Sequence, residues 1–450
     1  MKKILVVIIL IMNINLLIGC GENIVRSKLD YPNKPNHGNA VTVHDPSIIK
    51  ADDSYYAFGS HFAVARTNDF ITWYQVLGEN GSDKLYGGNW KEVLSDAVSY
   101  VGPDASSAWA PGMIKIDDTY YMYYSLSTFG SQRSYIGRVE SKDILGPYTN
   151  SVEIVKSSPS NGPNAIDAEV FFDEEGKLWM VYGSFFGGIY IKELYNEGEN
   201  IGLPKEEGFG KKIWNGYDQG PEGPYIFYNE ETEYYYLMAS HGSLSLNYNM
   251  RVLRSKTPDG PYLDTRGRDG ASMSNSGIKL AGNFQFEKSQ GLAALGHNSV
   301  IKVDNKYMVV YHTRFRQGIN IVSGHHNVYV NQLLFDQEGW PVLAPSRYAG
   351  ESLQELLEGD VIGEYNLLLH TGGNSDGFAE SNIYTFLKDG TIKEGGTWEF
   401  NAPYYINLKV GIKDYSGVLV TTFDQYQDKP TLSISAVSYR DGMTLWANKG

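Results

Sequence analysis

The chain is predicted to be all-β: a five-bladed β-propeller followed by a small antiparallel barrel or sandwich. Three observations predict this. From about residue 43 to 345 no helical period is sustained, and short β-branched and aromatic runs alternate with Asp, Asn and Gly turns. Five of those runs are alike. The composition, with 34 Tyr and 49 Gly among 450 residues, suits strands joined by tight turns.

The first segment reads as targeting sequence. Met1-Lys2-Lys3 is basic, Ile4 to Met12 is apolar, and Leu17-Ile18-Gly19-Cys20 follows. The apolar stretch fits a secretory leader better than a membrane span. Residues 1–20 are therefore expected to be a signal peptide. Cys20, the chain's one cysteine, excludes an intrachain disulfide. Residues 21–40 are polar, carry two prolines, and are expected to be a tether.

Residues 41–350 carry the five-fold pattern. Its core runs are Ser54-Tyr55-Tyr56-Ala57-Phe58, Thr119 to Tyr124, Leu178 to Tyr182, Tyr234 to Met238 and Tyr307 to Tyr311. Each follows a strand and an acidic or Asn-rich turn. The equivalent positions 56, 121, 179, 235 and 307 step by 65, 58, 56 and 72 residues. Repeats of this size with four strands each indicate a propeller. A two-sheet sandwich would not account for five similar units. Glu140-Ser141-Lys142 with Gly146-Pro147-Tyr148 matches Arg254-Ser255-Lys256 with Gly260-Pro261-Tyr262, and Arg66-Thr67-Asn68-Asp69-Phe70 is a looser third copy. Beyond a possible helical turn at Ser352 to Leu357, residues 360–450 read as six short strands, from Tyr365–Leu369 to Leu432–Ala436. This C-terminal β-domain carries no acid pair and reads as an accessory module.

The net charge of −14 argues against nucleic acid and anionic membrane surfaces, which need a basic face, and is compatible with a neutral polysaccharide. Asp45, Asp167 and Glu222 lie at the openings of three units, in His44-Asp45-Pro46, Asn164-Ala165-Ile166-Asp167 and Gly220-Pro221-Glu222-Gly223-Pro224. Alone, each reads as a turn acid. On one scaffold they can converge, and two carboxyls of split acidity suit glycoside hydrolysis. His297, in Gly296-His297-Asn298-Ser299, opens the fifth unit and could coordinate an ion chiefly through waters. His325 and His326, as strand neighbours, point to opposite faces and stay unassigned. Trp109 and Phe185-Phe186 are candidate stacking platforms for sugar rings, or else packing between units. No Cys cluster, His-Glu-x-x-His, phosphate loop or Gly-x-Ser-x-Gly elbow is present.

Taken in order, His-Asp-Pro, Trp-Ala-Pro, Asn-Ala-Ile-Asp, Gly-Ser-Phe-Phe-Gly-Gly-Ile, Glu-Gly-Pro and Gly-His-Asn-Ser resemble glycoside hydrolase family 43, within it the endo-1,5-α-L-arabinanases. Gly339 to Pro345 followed by Arg347 to Gly350 looks like the larger two-domain type. The resemblance covers nearly all of the chain beyond its leader. It implies an inverting hydrolase with Asp45 as general base, Glu222 as general acid, and Asp167 raising the pKa of Glu222 and holding it in orientation. It implies one calcium ion, held by His297 and waters. It implies a substrate cleft lined by Asp45, Trp109, Gly130, Asn164, Ala165, Ile166, Asp167, Ser184, Phe185 and Phe186. Phe186 departs from the Trp of many relatives, and Ala168 from their Pro. Leu17 to Cys20 resembles a bacterial lipobox, implying acylation at Cys20 and a monomer anchored at the cell surface, with the membrane touched only by lipid. The competing expectations are an exo-acting arabinofuranosidase or β-xylosidase, a non-catalytic glycan-binding lipoprotein, and a structural propeller.

Overall fold

The computed structural model describes residues 24–159, 162–287, 289–317, 321–322 and 324–450. The leader and Cys20 lie outside them. Four consecutive antiparallel meanders of four strands each follow one another in a propeller arrangement. The first comprises Ser47–Ala51, Ser54–Phe58, Val64–Thr67 and Tyr74–Leu77. The second comprises Trp109–Ile116, Thr119–Leu126, Ser134–Ser141 and Thr149–Ser157. The third comprises Glu169–Phe172, Leu178–Tyr182, Ile189–Leu194 and Lys211–Trp214. The fourth comprises Glu222–Asn229, Tyr234–His241, Asn249–Ser255 and Ile278–Ala281.

The sequence pattern predicts five like units, and here the structure differs. The fifth Tyr-bearing strand, Lys306–Gln317, belongs to a seven-stranded sheet. Leu292–Val303, Asn327–Phe335 and Pro341–Leu343 accompany it, and Phe284–Gln285, Ile321–Val322 and Ala379–Glu380 are added. The additions come from an insertion and from the C-terminal domain, neither of which a strand repeat can reveal.

Each Tyr-rich run forms the second strand of its unit, covered on both faces. Tyr123, Tyr124, Tyr182, Tyr235 and Tyr236 are fully buried. Their hydroxyls still find partners: Tyr123 donates to Gly202 O at 2.9 Å and Tyr182 to Phe209 O at 2.8 Å. The matched motifs fold alike. The hydroxyls of Thr67, Ser141 and Ser255 each accept from the N–H two residues on, at 3.2, 3.1 and 3.1 Å. Tyr148 and Tyr262, both buried, each donate to the carbonyl four residues upstream.

Three helices, Ser82–Tyr86, Trp90–Val93 and Ser95–Val101, fill the long link between the first two units, where only strands and turns are expected. At four to seven residues they are too short to display a helical period. They bury Leu85, Trp90, Leu94 and Ala97 in the core shared with Phe62 and Tyr124. The helical turn expected at Ser352 to Leu357 is also displaced: that stretch is irregular, and one turn forms at Glu358–Val361. There Asp360 Oδ2 accepts from Leu357 N at 2.8 Å, so the capping acid sets the turn three residues later.

The C-terminal strands include one the sequence pattern does not single out, Met443–Lys449. It pairs in parallel with Ile278–Ala281 of the fourth unit, so the C-terminal domain extends that sheet. Part of the expected tether is docked against the same domain. Ser27 N donates to Asp360 Oδ1 at 2.8 Å, Asp30 N to Gln354 Oε1 at 2.9 Å, and Thr421 Oγ1 to Asp30 O at 2.9 Å. No described helix is long and apolar enough to cross a membrane.

Candidate active site

One backbone feature recurs at the opening of every innermost strand. Asp45, Ala110, Asp167, Gly223 and His297 have φ of 54, 38, 61, 54 and 49°. Each lies two residues before the first regularly paired residue of that strand: Ser47, Gly112, Glu169, Tyr225 and Ser299. A left-handed residue at these places turns the chain abruptly, and non-glycine residues adopt it only where their surroundings hold them there. In the fourth unit the position must be glycine, because a Cβ on Gly223 would lie 2.9 Å from His297 Nδ1. The acid of that unit is accordingly one residue earlier, at Glu222.

The structure brings Asp45, Asp167, Glu222 and His297 together. Asp45 Oδ2 accepts from Ser60 Oγ at 2.5 Å, and Asp45 Oδ1 lies 3.0 Å from His297 Nδ1 and 3.3 Å from His44 Nε2. Burial works to raise the Asp45 carboxyl, but the His297 and His44 imidazoles outweigh it and hold the group well below the usual carboxylate range. Burial works to lower His297, yet the Asp45 carboxylate pushes it up to about 9. The two form an ion pair at neutral pH. The N–H of Asp45 donates to His312 Nδ1 at 3.1 Å, which fixes the tautomer of that buried ring.

Glu222 is the opposite case. Its carboxyl is pushed up to about 8, first by burial and then by the charge of Asp167. Ser184 Oγ donates to Glu222 Oε2 at 2.9 Å, and the Tyr248 hydroxyl bonds the same carboxyl. Asp167 is raised to about 6, chiefly by burial, and its Oδ2 accepts from Gly223 N at 3.1 Å. At neutral pH the site thus holds Asp45 ionised and Glu222 protonated, the pair that general acid–base chemistry needs.

The remaining expected residues differ in exposure. Trp109 is half-buried and lines a small cavity with Phe58, Phe62 and Tyr86. Asn164, Ala165 and Ile166 are buried, and Asn164 Oδ1 accepts from Ser134 Oγ at 2.6 Å. Gly130 is exposed beside Phe129, itself 89% exposed. Phe185 is half-buried and Phe186 exposed. Sequence reasoning missed Ser60, Tyr248 and Glu169. All three sit in frames that carry no mark in the sequence. Glu169 lines a small cavity with Asp45, Asp167, His297 and Asn298, and burial pushes its carboxyl up to about 8.

Two places could hold a metal. The ring nitrogens of His44, His312 and His326 lie within 4.8 Å of one another. They do not suit an ion. His326 Nε2 accepts from the Arg314 guanidinium at 2.7 Å, its other nitrogen is bonded to the Leu244 backbone, and its ring stacks on His44 at 3.8 Å. The cavity under His297 suits one better. It gathers three carboxyls, and neither amide atom of Asn298, 2% exposed, has a partner among the described residues. Such orphaned groups are normally satisfied by ordered water.

The profile described as Glycosyl hydrolases family 43 matches residues 39–341, and that of a C-terminal lipocalin-like domain matches residues 345–447. The chain is 36% identical over 446 residues to extracellular endo-α-(1→5)-L-arabinanase 2 of Bacillus subtilis (strain 168), covering 91% of this chain and 93% of that protein. It is 37% identical over 451 residues to the extracellular endo-α-(1→5)-L-arabinanase of Thermotoga petrophila (strain RKU-1), covering 90% and 93%. The crystal structure of endo-1,5-α-L-arabinanase from Thermotoga petrophila RKU-1 superposes with a TM-score of 0.85 at 36% identity, over 92% of this chain and 100% of that one. With the family profile spanning the propeller and these relatives covering both domains, the chain belongs to glycosyl hydrolase family 43.

Proposed function

We propose that this protein is an exported endo-1,5-α-L-arabinanase that hydrolyses internal α-1,5-arabinofuranosidic bonds with inversion. The observation that carries this reading is the divided ionisation of the converging carboxyls: Asp45 held ionised, Glu222 held protonated beside Asp167. Arabinan enters from the names of the two relatives, each matched over about nine-tenths of this chain.

Asp45 accepts a proton from a water, whose oxygen bonds to the anomeric carbon. The glycosidic C–O bond breaks, and Glu222 delivers its proton to the departing oxygen. Asp167 keeps Glu222 protonated and, through Gly223 N, holds the adjoining backbone in place. Inversion requires the Asp45 and Glu222 carboxyls to stand roughly 6.5–9.5 Å apart, leaving room for the water. The cleft that takes the polymer is expected to be lined by Asp45, Trp109, Gly130, Asn164 to Asp167, and Ser184 to Phe186.

In this reading the seven-stranded sheet is the fifth blade, since His297 occupies the same left-handed position as Asp45 and Asp167. The propeller spans residues 41–350 and the C-terminal domain residues 360–450. A calcium ion, held by the unprotonated His297 ring and by waters, would supply the positive charge that the protonated ring otherwise gives the buried carboxyls. Adding calcium after chelation should then raise the melting temperature, and an unchanged transition sinks the ion. The lipobox-like Leu17 to Cys20 supports an acyl anchor on a monomer at the cell surface, which mass spectrometry of the native N-terminal peptide tests.

The function is tested by product analysis of residues 21–450 on linear 1,5-α-arabinan, beside Glu222→Ala. A ladder of oligosaccharides, lost in the variant, is expected. Arabinose alone from the outset points to exo action. No release from arabinan or xylan leaves a binding lipoprotein.

A further inference from the structure

We infer that Asn374, from the C-terminal domain, is a positioning residue for the general acid. This rests on the reading of Glu222 as that acid. Asn374 lies in the link between strands Gly363–Leu369 and Ala379–Glu380, and reaches the fourth unit of the propeller.

All four hydrogen-bonding valences of its amide are used. Its Oδ1 accepts from Asn249 Nδ2 at 2.9 Å and from Arg251 Nη2 at 2.8 Å. Its Nδ2 donates to the Tyr217 hydroxyl at 3.1 Å and to Gln219 Oε1 at 2.8 Å. Its carbonyl accepts from Asn247 Nδ2 at 2.8 Å.

The partners fall in two segments, and each segment touches Glu222. Tyr217 and Gln219 belong to the loop that leads into Glu222, closed by paired bonds between Tyr217 and Gly220 and by Gly242 N donating to Gln219 O at 2.9 Å. Asn247 and Asn249 flank Tyr248, whose hydroxyl bonds the Glu222 carboxyl. One amide from the second domain therefore joins the backbone approach to the acid and the tyrosine that orients it. Satisfied polar networks of this kind fix a single geometry, while partly satisfied ones do not. Proton delivery tolerates little displacement: a shift of about 1 Å costs roughly 100-fold.

The test separates positioning from stability. Asn374→Ala should lower kcat on linear arabinan by roughly 10- to 100-fold, with KM changed less than about twofold. On a 4-nitrophenyl arabinotrioside, whose phenolate leaves without a proton, the loss should be under about threefold. Asn374→Asp keeps the acceptor side and removes the donors, so it should retain the melting temperature yet show the same split between substrates. Thr444→Val supplies the comparison. Thr444 Oγ1 donates to Lys279 O at 2.8 Å across the same domain boundary but reaches no neighbour of Glu222. It should lower the melting temperature and leave kcat intact. Equal losses on both substrates, or an unaffected kcat in both Asn374 variants, overturn the inference while the arabinanase reading stands. A wild type inert on arabinan defeats that reading, and the inference with it.

Discussion

Glu222 and Asp167 illustrate how burial and a like charge together make an acid. With Glu222 raised to about 8 and acting as the proposed proton donor, activity on arabinan should fall as pH rises through that region. Asp167→Asn removes the repelling charge and should move this alkaline limb to lower pH. A kcat/KM profile with an unmoved limb would remove Asp167 from that role. Both acids, with Asp45 and His297, were legible from their short frames, since a rigid or apolar frame around a lone acid is visible in one dimension. Ser60 and Tyr248 were not. Gly59-Ser60-His61 and Asn247-Tyr248-Asn249 are ordinary turn sequences, and only the fold sets them 15 and 26 residues away against Asp45 and Glu222.

At the scale of the element, the recurrent left-handed residue organises the site more than any strand does. It delivers an acid in the first and third units, an acid one step earlier in the fourth, and a histidine in the seven-stranded sheet. In the second unit it delivers only Ala110, with φ of 38° and 3% exposed. A methyl group there adds strain without chemistry. Ala110→Gly should therefore stabilise the protein by up to about 1 kcal/mol, read as a rise in melting temperature, and a fall would show that packing of the methyl outweighs the strain. The Tyr-rich strands were legible because each run is short, alternating and bounded by turns; Leu178–Tyr182 has the same limits in sequence and structure. The three helices of the first long link were not legible, since helices of four to seven residues are held by Leu85, Trp90 and Leu94 docking on the core rather than by local pattern.

Across the whole molecule, the two domains share sheets. Lys279 pairs with Met443, Phe284 with Ala379, and Trp446 packs in one core with Phe284 and Leu368. Calorimetry should consequently show one cooperative transition, and two separated transitions would mean the domains melt independently. Sequence alone indicated a boundary near residue 350 through the change of pattern. It could not indicate continuity across that boundary, which depends on strand pairs 95 and 164 residues apart. The docked N-terminal segment belongs to this scale as well. Only residues 21–25 separate Cys20 from Arg26, which donates to Ile362 O at 3.1 Å. Five residues, even fully extended, span no more than about 18 Å. With an acyl chain on Cys20, that leash would be short. The enzyme would stand close against the bilayer, C-terminal domain nearest the lipid, and could reach only polymer that drifts within a molecular diameter of the cell.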